Sequence, residues 1–304
     1  MDRFEFGEYR AVALLGENGA GRAYLARAGS GPLVVVKTLD PGLPDEPALR
    51  ERLRHEGRAA RTVHGPFTAA VLDAGPDAEP PWLAAEYCAG PSVSEAVAGL
   101  GPLASDDLAA LGAALALALT AIHTAGLVHR GLKPANVLVT REGPRVLDFG
   151  RPAPGHGELV GSPGFLAPEQ ITYATEPAAP CDVFALGALL VLAATGRNPH
   201  GAGTAPKIVH RTLHEQPDLV GLPDAEWAGF LALCLAKEPG ARPTVPDVLA
   251  WCGARAADRP WWRGPDAGAL IDTHEESVRQ RIAEAQEEAE AARTGTPIKT
   301  YWGQ

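Results

Sequence analysis

Lysine and cysteine are scarce in this chain of 304 residues: the lysines are Lys37, Lys133, Lys207, Lys237 and Lys299, and the cysteines are Cys88, Cys181, Cys234 and Cys252. The cysteines stand far apart with no Cys-x-x-Cys spacing, which removes a zinc ribbon and a disulfide framework from consideration. Reduced thiols in a cytoplasmic protein are the expectation. Lys and Arg number 27 against 37 Asp and Glu, giving a net charge of −10 and a pI near 5.4. No broad basic surface for nucleic acid or anionic lipid is therefore expected, and any anionic ligand must be held by a few placed groups. No secretory signal is expected either, because the opening Met-Asp-Arg-Phe-Glu-Phe-Gly-Glu carries acidic residues and no apolar core. No stretch reads as a membrane span. Residues 108–128 are rich in alanine, follow Asp106 and Asp107 and include Thr120, His123 and Thr124, while residues 183–195 are too short for the roughly 20 residues that cross a bilayer. Both read as buried helices. No internal repeat is visible.

What remains is ample for a folded core: 46% of the residues are hydrophobic, which excludes disorder of the whole chain. With 34 glycines a glycine motif is weak evidence, whereas a placed lysine is informative. The first forty residues alternate short apolar runs with glycine-rich turns, 16–21 and 29–32, and predict a meander of strands. A dinucleotide-binding reading needs a helix straight after the glycines. Here residues 22–27 form only a short run closed by another glycine turn, so that reading loses. A helix is predicted over 46–63, with Leu49, Leu53, Glu56 and Ala60 on one face. Strands follow near 69–72 and 82–87, and from Ser105, a predicted N-cap, the chain becomes mainly helical. Beyond Trp251, Pro260-Trp261-Trp262 reads as an apolar clamp, and Thr273-His274-Glu275-Glu276 as a capping box opening a helix to about Arg293. Val278, Ile282, Ala285 and Ala289 line its weak apolar face, which suits either packing on the body and solvation or the binding of a partner.

Several motifs then fall in a fixed order. Leu15-Gly16-Glu17-Asn18-Gly19-Ala20-Gly21-Arg22-Ala23 is a glycine loop that is, taken alone, equally a plain hairpin turn. Lys37 ends the run Val34-Val35-Val36, and Glu56 follows on the predicted helix. Further on come His129-Arg130-Gly131-Leu132-Lys133-Pro134-Ala135-Asn136, Leu147-Asp148-Phe149-Gly150, Ala167-Pro168-Glu169, Asp182 in Asp182-Val183-Phe184, and Arg242 in Ala241-Arg242-Pro243. Together they resemble the bacterial (Hanks-type) serine/threonine protein kinases over residues 9–255.

That resemblance implies an α+β, two-lobed protein-kinase-like fold. An N-lobe of antiparallel sheet plus one helix would span 1–87, a mainly helical C-lobe 88–257, and an extension with the tryptophan clamp and the helix 258–304. It implies ATP and Mg²⁺ as ligands. Leu15, Gly16, Asn18, Gly19, Gly21 and Ala23 would cover the nucleotide, Lys37 would contact phosphates and pair with Glu56, and Glu86 and Cys88 would form the hinge behind a small gatekeeper, Ala85. Asn136 and Asp148 would hold the metal, as an amide oxygen and a carboxylate suit Mg²⁺. Glu169 and Arg242 would pair in the interior, and Asp182 would cap the catalytic loop.

The departures lie on the substrate side. Gly131 stands where the family carries the aspartate that orients the substrate hydroxyl and accepts its proton. Residues 151–160 contain no Ser, Thr or Tyr for phosphorylation beside Arg130, leaving Glu158 as the anion that could stand in. Ser162 keeps a hydroxyl but loses the carboxylate it would share with Lys133. A missing general base removes about 10²- to 10⁴-fold in rate, or about 3 to 5 kcal/mol. The implied function is a nucleotide-binding pseudokinase with a regulatory or scaffolding role toward a protein or peptide partner, modulated by Mg-ATP. The alternatives are a weak or atypical serine/threonine phosphotransferase and a pure interaction protein with an empty cleft.

Overall fold

A valine run with period-two burial lies at the centre of the first lobe. The computed structural model describes residues 4–18, 21–38, 46–149, 162–172 and 178–294. In β4 (Leu33–Thr38), Val34, Val36 and Thr38 are buried while Leu33, Val35 and Lys37 are only partly so. Such alternation gives a strand two distinct faces. With β1 (Glu5–Phe6), β2 (Tyr9–Asn18), β3 (Gly21–Ala28), β5 (Val71–Gly75) and β6 (Trp82–Glu86) it forms one antiparallel sheet in the order β1-β2-β3-β4-β6-β5. One face packs Phe6, Tyr9, Tyr24, Val34, Val36 and Trp82 into a core of its own. The opposite face carries Lys37 with its register partner Ala23, and Leu25. Helix α1 (Glu46–Ala60) packs on β5, and Gly57 approaches Ala74 there.

The second lobe is helical. Helix α2 (Val93–Leu100) starts at a capping box in which the Glu95 N–H donates to Ser92 Oγ (3.2 Å) and the Ser92 N–H to Glu95 Oε2 (2.7 Å). Helix α3 (Ser105–Thr124) runs through the centre against α5 (Ala179–Thr195) and α8 (Val245–Gly253). Its small residues let the helices close up. A Cβ on Gly112 would stand 2.6 Å from Cys252 Sγ, so a larger residue there would push α8 away. Helix α3 is the one described helix long and apolar enough to cross a membrane, and most of it is buried within this core. A two-stranded ribbon, β7 (Val137–Thr140) and β8 (Gly143–Val146), faces the sheet lobe. It is tied there by the Ala69 N–H donating to Val146 O (3.0 Å). Helices α4 (Pro168–Thr172), α6 (Ala205–His214) and α7 (Ala225–Cys234) complete the lobe. All four cysteines are free and buried, and burial pushes the Cys88 and Cys252 thiols up to about 12.

Two boundaries differ from the sequence expectation. Ser105 is the first helical residue and does not cap α3; its hydroxyl instead accepts Trp227 Nε1–H (2.7 Å), a tertiary bond that replaces the local one. The last helix, α9 (Pro265–Thr294), begins eight residues before the expected capping box. Proline at its first position and Asp266 in its first turn suit a helix start. Thr273 lies inside it, donating to Ala269 O (2.9 Å). The tryptophan clamp is present: Trp262 is buried and Trp261 packs beside it against the main core.

His200 is stored in this core as a neutral base. It is buried, stacks on Phe184 with ring centroids 5.8 Å apart, and neither ring nitrogen has a partner among the described residues. Burial first, then the Lys237 and Arg211 charges, push its pKa down to about 4. The unfolded chain takes up that proton near pH 6.5, so between these values the unfolded state binds more protons and stability falls as the pH drops. Urea unfolding should show about 2 kcal/mol less stability at pH 5 than at pH 7.5 from this group. His200→Phe should remove that share of the slope; an unchanged slope would clear His200 of the effect.

Candidate functional site

The loop between α3 and β7 is held in an unusual shape by groups far from it in sequence. Arg130 has φ +61°, a left-handed conformation that costs a non-glycine residue about 1 to 3 kcal/mol unless its surroundings enforce it. They do so from both sides. Asp182, fully buried in the first turn of α5, accepts the His129 N–H (2.9 Å) on one carboxylate oxygen and the Arg130 N–H (2.8 Å) on the other. The Arg130 carbonyl accepts Gln170 Nε2–H (2.8 Å). His123 Nε2 joins the Asp182 carboxylate at 2.8 Å. Asp182 therefore caps this loop as expected. His123 and Gln170 were missed: the first stood out only as a polar residue in an apolar helix, and the second directly follows Ala167-Pro168-Glu169.

The loop then brings Asn136 beneath the sheet. Asn136 Nδ2–H donates to Gly131 O (3.0 Å), and its main-chain carbonyl accepts the Leu147 N–H (2.8 Å), which fixes the approach to Asp148. Asp148 is the second left-handed non-glycine residue, at φ +65°. Its carboxylate accepts a hydrogen bond from Lys37 Nζ, closing an ion pair from β4 across the cleft between the lobes. Both side chains are mostly buried, 25% and 18% exposed, so this pair is less screened than a surface one. The structure thus brings Lys37, Asn136 and Asp148 together. Glu56 lies on α1, its side chain outside the described residues; the partner found for Lys37 is Asp148.

Next to Lys37 on the sheet lies the glycine hairpin, whose Ala23 is its register partner. Asn18 pairs with Gly21 in the β2–β3 ladder, Gly16 pairs with Ala23, and Gly21 has φ +138°. The Arg22 guanidinium pairs with Glu17 (2.9 Å) across the two strands. Gly19, Gly150 and the segment 151–160 with Glu158 lie outside the described residues. At the hinge, the Glu86 N–H donates to Ala70 O (2.8 Å), and its carboxylate accepts the Ala70 N–H (3.2 Å). Ala85 sits opposite Val35 and Val71, and Cys88 is buried beside Glu86. The Lys133 carbonyl accepts the Asn136 N–H (2.9 Å), while its ammonium, partly exposed, has no hydrogen-bond partner among the described residues.

The donor set fits a hard cation held jointly with phosphates. Fixing the Asn136 amide nitrogen on Gly131 O leaves its oxygen as the end that could coordinate, and its main-chain carbonyl holds the residue that precedes Asp148. No cluster of three or more His, Cys, Asp or Glu able to hold a metal occurs among the described residues. A cation bound by only two protein oxygens needs ligand oxygens and water for the rest, as Mg²⁺ does with nucleotides. No carboxylate stands at position 131. The two buried carboxylates of this region are committed elsewhere, Asp182 to the loop backbone and Glu169 to Arg242 (2.6 and 2.7 Å).

Residues 9–251 match the protein kinase domain family. Probable serine/threonine-protein kinase PkwA of Thermomonospora curvata is 40% identical over 256 residues, covering 82% of this chain and 34% of its own length. Serine/threonine-protein kinase AfsK of Streptomyces coelicolor is 42% identical over 257 residues, covering 82% of this chain and 32% of its own length. The chain thus spans about a third of the length of these curated relatives. The crystal structure of the Mycobacterium tuberculosis PknI kinase domain superposes with a TM-score of 0.69 at 25% identity, covering 84% of this chain and 99% of that domain. A kinase-like cleft between the same two lobes and a family match over most of the chain lead to one conclusion: this protein belongs to the protein kinase family, and the curated relatives it resembles are named as bacterial serine/threonine kinases.

Proposed function

We propose that the chain is a nucleotide-binding, kinase-like protein that takes up Mg-ATP as a conformational ligand and has lost efficient phosphoryl transfer. The family uses ATP and a divalent metal in general. The observation that carries the reading is the Lys37–Asp148 pair across the cleft, with Asn136 fixed beside it, while Gly131 offers no carboxylate to a substrate hydroxyl. Lys37 would bind phosphate oxygens, and Asp148 and Asn136 would hold Mg²⁺; when bound, Mg-ATP supplies a transferable phosphoryl group and the metal's charge. The hinge backbone at Glu86 and Cys88 and the hairpin residues Leu15, Gly16, Asn18, Gly19, Gly21 and Ala23 would enclose the nucleotide, and Glu56 would be the helix partner released or taken up by Lys37. We place the lobe boundary at 87/88 and the end of the kinase-like body at 257. The free, buried cysteines support a cytoplasmic protein, and regulation of a protein or peptide partner is the role such a ligand-set lobe arrangement serves.

Thermal unfolding tests the binding. Mg-ATP at a hundred times its Kd should stabilise the protein by about 2.7 kcal/mol, and Lys37→Ala or Asp148→Ala should abolish most of that gain. Absence of any shift in the unaltered protein would sink the reading. The names of the relatives favour a second reading, a slow serine/threonine phosphotransferase. Transfer of label from γ-labelled but not α-labelled ATP, lost in Asp148→Ala, would establish it.

A further inference from the structure

One element outside the cleft contacts both lobes. Helix α9 has 30 residues, about 45 Å at 1.5 Å per residue. Its first third is anchored on the helical lobe. Ala267 and Ile271 are buried, Leu270 packs over Gly99 of α2, and Asp272 pairs with Arg141 at the β7–β8 turn. Its middle passes the hinge. The Tyr87 hydroxyl is pushed up by burial and then by the Glu275 carboxylate, which puts that turn of α9 beside the hinge tyrosine. Its later turns lie on the sheet. Val278 is buried with Ala13 and Leu25, and Ile282 and Ala285 pack among Leu15, Leu33 and Tyr87. Residues 267, 271, 278, 282 and 285 follow one helical stripe, so a single rigid face is docked to one lobe and then to the other. Leu25 lies on the face of the sheet that carries Lys37, and Leu15 immediately precedes the glycine hairpin.

We propose that α9 is a strap that sets the separation of the lobes and is thereby thermodynamically linked to nucleotide binding. A continuous helix docked on both lobes cannot follow a change in lobe separation, so opening the cleft requires its Val278–Ala285 stretch to leave the sheet. Linkage is reciprocal: docking of this end strengthens nucleotide binding by the factor by which nucleotide strengthens docking. The proposal rests on the nucleotide-binding reading for its ligand, but the strap itself is testable without one.

The experiment is hydrogen exchange, with Mg-ATP titration, on the full chain and on V278D/I282D. The variant should exchange faster in β2 and β3 while α5 and α8 stay protected, and its Mg-ATP Kd should rise about 5- to 150-fold. In the unaltered protein Mg-ATP should slow exchange over 278–287. If α5 and α8 show that the double variant has unfolded, the milder Ile282→Ala carries the same comparison. Unchanged exchange in β2 and β3 together with an unchanged Kd overturns the strap. Should the unaltered protein bind no Mg-ATP, the functional reading fails separately, and exchange in β2 and β3 alone decides: faster in the variant supports the strap, unchanged refutes it.

Discussion

Replacing Gly131 with aspartate raises phosphoryl transfer from Mg-ATP to serine or threonine by about 10²- to 10⁴-fold, the share a positioned general base contributes. The backbone is ready for the change. A Cβ on Gly131 would meet only His129 O, at 3.9 Å, an ordinary contact, and Gly131 does not lie in the left-handed region that favours glycine. The bonds that shape the loop also survive, because each one at this position uses backbone: the Gly131 N–H donates to His129 O (2.8 Å), and Gly131 O accepts from Asn136 (3.0 Å). The new carboxylate would enter a site whose lysine, amide and second carboxylate are already assembled. Incorporation of γ-label into the chain and into a degenerate serine/threonine peptide library measures the gain. Gly131→Asn, which has the same shape without the base, should stay low, and Asp148→Ala in the Gly131→Asp background should remove the gain. If Gly131→Asp binds Mg-ATP as the unaltered protein does but transfers no faster, the missing carboxylate is not what limits transfer. The lack of hydroxyls in 151–160 or the changed Ser162 would then carry the loss.

Much of this architecture was legible because the informative residues are expensive to place. Lysine is scarce, so a lysine closing a valine run and another three residues before Asn136 could be weighed, and the structure does bring Lys37 to the cleft. Asp182 and the Glu169–Arg242 pair were legible only through the resemblance to the kinase family, and their burial explains why the fold must satisfy them. Local signals failed where tertiary bonds replaced them. Ser105 looked like a cap and instead serves Trp227, and Thr273 looked like a helix start and sits inside one. No sequence pattern specified that Lys37 would reach Asp148, since that depends on the lobe separation, nor that the weak stripe of α9 would lie on the sheet lobe. The stripe was read correctly as apolar, but what it faces is a property of the assembled fold.

Arg242→Met should cost about 3 to 5 kcal/mol of stability, the usual penalty for removing one partner of a buried ion pair. All five donors of the guanidinium are used. Nε–H donates to Ala236 O (2.8 Å), one terminal nitrogen to Glu169 Oε1 (2.6 Å) and Pro180 O (2.9 Å), the other to Glu169 Oε2 (2.7 Å) and Lys237 O (3.1 Å). The side chain is wholly buried, and its charged end lies 5.1 Å from the Phe184 ring centroid. Methionine would fill much of the volume but leave a buried carboxylate without its cation and three carbonyls without donors. Against a total stability of about 5 to 15 kcal/mol, that loss is large enough to unfold part of the population at 37 °C. The damage should also reach the cleft. Glu169 and Gln170 are adjacent on α4, and Gln170 holds the Arg130 carbonyl. Loosening α4 therefore releases one of the two restraints on the strained catalytic loop. Urea unfolding of Arg242→Met beside Arg242→Met/Glu169→Leu separates the causes: the double variant removes the stranded carboxylate and should recover part of the loss. If the single variant loses less than 1 kcal/mol, the pair is a by-product of packing and does not fasten α4 to the lobe.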